Sequence, residues 1–118
     1  MDQFFRAKLS VDQIMFYRRK FVEKNYVQLL NLYLNGGDLK QSFYWKRKIS
    51  QGYSEQWIKQ SIDEFIKLFE LIKHNGFDER YSLVVIRKGH KFIRQDGAHR
   101  VAIAHVLNID ELDCFVLN

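Results

Sequence analysis

Asp96, Gly97, His99 and Arg100 are the residues of this chain whose types and spacing can do chemistry, in the run Gln95-Asp96-Gly97-Ala98-His99-Arg100-Val101-Ala102-Ile103-Ala104. The run passes from a strand-like segment into an apolar helix. The first N–H groups of a helix have no partner within it, so a helix start offers donors to an anion. Asp96 has the side chain to cap those groups, and Gly97 allows a ligand close to the backbone. His99 and Arg100 fall in the first turn, where a guanidinium can grip phosphate or carboxylate in two places and an imidazole can move a proton near neutral pH. Asp96 and His99 are therefore the candidate catalytic residues. Gly97, Ala98, His99 and Arg100 are the candidate ligands of a phosphate, Ala98 through its amide. Asp96 would either cap the amides or face a bound Mg²⁺ and a substrate hydroxyl. The two uses compete, because an anion at the amides repels an ionised Asp96 unless Mg²⁺ or Arg100 lies between them.

A second constellation is basic and aromatic. Lys46-Arg47-Lys48 follows Phe43-Tyr44-Trp45, and Arg18-Arg19-Lys20 follows Phe16-Tyr17. Such interleaving can stack on and neutralise a single-stranded nucleic acid, although solvated helix faces give the same pattern. The net charge of +5, from 19 Lys and Arg against 14 Asp and Glu, is compatible with a polyanionic partner. The four histidines lack paired metal-ligand spacing, so no metal site built from His or Cys is expected. Cys114 is the one cysteine, which excludes an internal disulfide framework and suits a reducing compartment.

The elements that must position these residues are legible to different degrees. At 118 residues, 47% apolar and 28% charged, the chain has ordinary globular composition with one core, and it lacks proline. No segment approaches the roughly 20 apolar residues of a membrane span, and Met1-Asp2-Gln3-Phe4-Phe5-Arg6 does not read as a signal peptide. A cytoplasmic protein is expected. Residues 1–53 read as helical. Ser10-Val11-Asp12-Gln13 has capping-box spacing, and Val11, Ile14, Met15, Val22, Tyr26, Leu29, Leu30 and Tyr33 recur mostly at three- and four-residue steps. Asn35-Gly36-Gly37-Asp38 stops that helix. The segment 43–48 is strand or helix.

Ser54 then caps a helix whose stripe is Ile58, Ile62, Phe65, Phe69 and Ile72, with Lys59, Asp63, Lys67 and Glu70 left for water. Asn75-Gly76 ends it. Tyr81–Arg87 reads as a buried strand, Lys88-Gly89-His90 as a turn and Lys91–Arg94 as the returning strand. A helix over Ala98–Leu107 and a strand over Asp113–Leu117 follow, an α+β order in which the last helix packs on a small mixed sheet.

The run "SIDEFIKLFELIKHNGFDERYSLVVIRKGHKFIRQDGAHRVAIAHVLNIDELDCFVL", about residues 61–118, resembles the ParB/sulfiredoxin-like superfamily. The resemblance implies an α+β domain, taken over 54–118, and the helical reading of 1–53 makes that half an N-terminal extension which the resemblance does not cover. Against the sulfiredoxin motif Gly-Gly-Cys-His-Arg, Gly97, His99 and Arg100 match, but Ala98 stands at the nucleophile's position, so sulfinic acid reduction is not implied. Against the Gly-Glu-Arg-Arg of ParB partition proteins, only Gly97 and Arg100 match. Free serine kinases of the superfamily carry Asp-Gly-His-Thr-Arg, which Asp96, Gly97 and Arg100 match. They also use an upstream glutamate, for which Glu55 lies in the right region. The wording is similar as well to short ParB-like proteins found among bacterial surface-polysaccharide genes.

The resemblance thus implies a nucleotide- or phosphate-binding domain, a small-molecule kinase or nucleotide hydrolase, with ATP or another nucleotide and Mg²⁺ as cofactor. The alternative is a nucleic-acid-binding module acting through Lys46, Arg47 and Lys48, or a regulatory protein-interaction module without catalysis.

Overall fold

The computed structural model describes residues 4–11, 14–16, 20–77, 81–94 and 97–117. Five strands, β1 (Phe4–Ser10), β2 (Ile14–Phe16), β3 (Leu83–Lys88), β4 (Lys91–Arg94) and β5 (Glu111–Leu117), form one mixed sheet in the order β1-β5-β3-β4-β2. β1 pairs antiparallel with β5 from Phe4 opposite Leu117 to Ser10 opposite Glu111. β3 runs parallel to β5, with Leu83 opposite Cys114, and turns through Gly89 into antiparallel β4. β2 adds a short parallel edge to β4. Four helices accompany the sheet: α1 (Lys20–Leu34), α2 (Phe43–Ser50), α3 (Glu55–Asn75) and α4 (Ala98–Val106).

Alternation along the strands sends one set of side chains to the core. Leu9, Leu83, Val85, Leu112, Cys114 and Val116 are buried together with Val101 and Ala104 of α4. A second core joins Leu29 and Leu30 of α1, Tyr44 and Trp45 of α2, and the Ile58-Ile62-Phe65-Phe69-Ile72 stripe of α3, and it includes Ile103 of α4. The helix α4 therefore lies between sheet and helical layer, with Val101 through Ala104 all without exposed surface. Alanines at 102 and 104 permit that close packing on both sides.

α3 follows the expectation closely. Ser54 Oγ accepts the Trp57 N–H at 3.1 Å, the stripe is buried, and Gly76 closes the helix at φ +77°. One residue of its outward set differs, since Glu70 is half-buried and accepts the Tyr33 hydroxyl of α1 at 2.8 Å. The undecided segment 43–48 is helical, and buried Ser42 caps α2 by accepting the Trp45 N–H at 3.1 Å.

The N-terminal reading needs correction. Phe4–Ser10 and Ile14–Phe16 are not helical: they are β1 and β2, and α1 begins only at Lys20. Ser10 ends a strand, and the Val11 N–H donates to the Asp110 carbonyl at 2.8 Å. Asp12 and Gln13, the rest of the expected capping box, lie outside the described residues. Within β1, Ala7 and Leu9 share one face while Arg6 and Lys8 occupy the other, a period of two. The described residues among 1–53 are thus not all helical. They provide two of the five strands and four large residues of the helical core.

Candidate anion-binding site

β4 ends at Arg94 and α4 starts at Ala98, so the sheet delivers the chain directly to the motif. Gln95 and Asp96 lie outside the described residues, and with them the expected cap and candidate catalytic carboxylate. The N-cap of α4 is Gly97, in the left-handed conformation at φ +83°, with no side-chain cap. Its carbonyl accepts the Val101 N–H at 3.1 Å. The N–H groups of Ala98, His99 and Arg100 come before that of Val101, the first to find an acceptor within the helix, and they point out of the helix start.

Gly97 is required for an internal reason. A Cβ at this position would collide with the Leu83 side chain, and the positive φ already disfavours any L side chain. The close approach expected at Gly97 is therefore one to β3. Arg100 returns to the same place one helical turn later. Its Nη1 donates to the Ser82 carbonyl at 2.7 Å, and its Nη2 lies 3.5 Å from the point a Gly97 Cβ would occupy. The guanidinium is thereby fixed beside the helix start.

His99 takes a different direction. Its ring centroid lies 4.3 Å from that of Tyr26 in α1 and 5.0 Å from that of Phe65 in α3, while part of the residue remains exposed. Burial of the packed face, and secondarily the charge of Arg100, lower its pKa below the ordinary histidine value. The imidazole is therefore neutral at pH 7, with one nitrogen able to donate and the other to accept. Tyr26 and Phe65 stand 5.0 Å apart, and Tyr26 also packs on Tyr44, whose hydroxyl shares a hydrogen bond with Ser61. Sequence reasoning missed this aromatic surround, which comes from three separate helices.

It also missed Arg94. This last residue of β4 is 4% exposed, on the face it shares with Phe92. The signal was there: a period of two from Phe92 places residue 94 inward. Arg94 and Arg100 flank residues 95–97 in the chain.

Several other candidates fall elsewhere. Glu55 opens α3 ten residues before Phe65, about 15 Å along the helix axis from the ring that touches His99. Cys114 is buried, and burial pushes its thiol up to about 11, so it is no nucleophile. Among the described residues no group of three or more His, Cys, Asp or Glu side chains converges as a metal site. Lys46 and Arg47 are exposed on α2, whereas two of the three aromatics expected beside them, Tyr44 and Trp45, belong to the core. No helix of the described residues is long and apolar enough to cross a membrane.

No family model and no curated protein matches the sequence. Among solved structures, the chain is similar to sulfiredoxin from Arabidopsis thaliana, with a TM-score of 0.51 and 12% sequence identity over 95% of this chain and 83% of that one. The fold is accordingly a sulfiredoxin-like α+β fold. The similarity takes in nearly the whole chain, where the sequence carried the resemblance only from about residue 61.

Proposed function

We propose that this domain binds the phosphate of a nucleotide or other phosphorylated small molecule at the start of α4. The observation that supports this most directly is Arg100, bonded to the Ser82 carbonyl and held against Gly97, so that a fixed cation sits beside uncapped helix amides. Every group in that set is a donor, which suits an oxyanion and not a cation. The amides of Ala98, His99 and Arg100 donate to phosphate oxygens, and the guanidinium neutralises charge without reorganising.

On this reading the domain is a small-molecule kinase or nucleotide hydrolase working in the cytoplasm. ATP or another nucleotide is the donor, and Mg²⁺ arrives on the nucleotide to neutralise its phosphates. Asp96, next in sequence to Gly97, accepts the proton of the attacking hydroxyl or water. His99, neutral and partly exposed, supplies a second acceptor at the edge of the helix start. No step uses a thiol, since Ala98 stands where sulfiredoxins have cysteine and Cys114 is buried.

Calorimetric titration of ATP, ADP and CTP, with and without Mg²⁺, into the wild type and Arg100→Ala tests the reading. The substitution is expected to weaken binding by roughly 1.5–3 kcal/mol, the worth of hydrogen bonds to a charged group. A wild type that binds none of them, or a variant that binds equally well, refutes the site.

A further inference from the structure

We infer that the turn between α2 and α3 is a binding surface for single-stranded nucleic acid, distinct from the start of α4. Two residues of this turn region carry it. The rings of Tyr53 and Trp57 stack at 4.2 Å with an interplanar angle of 29°, and the two residues are 41% and 42% exposed. Large aromatic residues are usually drawn into a core, as Tyr44 and Trp45 of α2 are. Tyr53 and Trp57 instead hold each other at the surface as a flat apolar platform.

The charge on the α2 side of the platform is basic, while Glu55 opens α3 between the two aromatic residues in the chain. Lys48 places its Nζ 4.9 Å from the Tyr53 ring centroid and 5.7 Å from those of Trp57 and Tyr44, within cation–π range of all three. Arg47 is exposed on the same last turn of α2 and Lys46 is exposed one residue before it, and no carboxylate of the described residues forms an ion pair with either. A ligand that fits must offer flat π-faces to the rings and regularly spaced negative charge to the cations. A single strand does both, because its bases can leave their own stack and lie on the rings while its phosphates reach Lys46 and Arg47. A duplex keeps its bases stacked on each other, and an acidic peptide has the charge but no flat faces. The sequence had placed the aromatics of such a site at 43–45. The fold buries two of those and provides the pair from 53 and 57.

Fluorescence anisotropy of a labelled oligo(dT) with the full chain tests the inference. The wild type is expected to bind at 50 mM salt, weakening about sevenfold by 200 mM if two phosphates are neutralised. Trp57→Ala should bind about tenfold more weakly or worse, and Trp57→Phe, which keeps a ring, should retain most of the affinity. Replacing Lys46 and Arg47 together with alanine should weaken binding and flatten its salt dependence. Those two exposed side chains test the idea even where Trp57→Ala fails to fold. Several results would overturn it: no complex at 50 mM salt, equal affinity in Trp57→Ala, equal binding of a hairpin duplex, or displacement by polyglutamate. Displacement by Mg²⁺-ATP would also overturn it, by putting the strand at α4. A protein that ignores ATP yet binds oligo(dT) through Trp57 would refute the phosphate site and leave this one standing.

Discussion

At His99 the imidazole pairs a packed face with an exposed edge, and the packed face sets its titration. Burial against Tyr26 and Phe65 favours the neutral form, as does the neighbouring Arg100 charge. The folded-state pKa is thus below the unfolded value of about 6.5. The folded state then binds fewer protons than the unfolded one in the window between the two values. The contribution of neutral His99 is complete above pH 6.5 and is lost as the pH falls through the lowered pKa. Urea denaturation at pH 5 and 7.5 should show a larger acid loss of stability in the wild type than in His99→Gln. Identical pH dependence in the two proteins would mean that the rings do not hold the imidazole neutral. The exposed edge keeps this effect well below that of a fully buried group.

Among the elements, the contact between the start of α4 and β3 is the tightest that bears on the site. Gly97→Ala forces a side chain into both a left-handed backbone and the Leu83 side chain, and it should cost about 2–3 kcal/mol. Leu83→Ala leaves a cavity and destabilises on its own, but the pair should cost less than the sum, because the second change removes the first one's obstacle. Denaturation of the two single variants and the double variant measures this, and strict additivity would deny the contact. Helices α3 and α4 and the β3–β4 hairpin were readable because each carries its own signal. Ser54 and the five-residue apolar stripe mark α3, and Asn75-Gly76 ends it. The pairing of Gly97 with Arg100 was readable too, since three residues on a helix return to one face. β1 was not, because its partner is β5, at the other end of the sequence. Val11 and Ile14 fit a helical spacing, yet Val11 follows β1 and Ile14 opens β2. The ring cluster around His99 was equally invisible, since no local pattern relates Tyr26, Phe65 and residue 99.

For the whole molecule, the sheet and the two cores tie the halves of the chain together. A fragment of residues 54–118 would lack β1, β2, Leu29, Leu30, Tyr44 and Trp45, and would bare the inner strand β5 along one edge. It should show no cooperative unfolding transition and a collapsed amide NMR spectrum. A folded fragment would mean that the first 53 residues are dispensable to the domain. The positive charge is a property at this scale as well: the excess of five serves both proposed ligands, so salt should weaken either interaction.

The β1–β5 ladder has a further consequence, which belongs to the time of synthesis. Ser10 and its partner Glu111 are about a hundred residues apart in the chain. At roughly 5–20 residues per second, a ribosome separates them by about 5–20 s. Throughout that interval Phe4–Ser10 waits outside the tunnel without the strand it is built to join. Basic side chains such as Arg6 and Lys8, on the face opposite Ala7 and Leu9, are the kind that disfavours pairing of such a segment with another copy of itself.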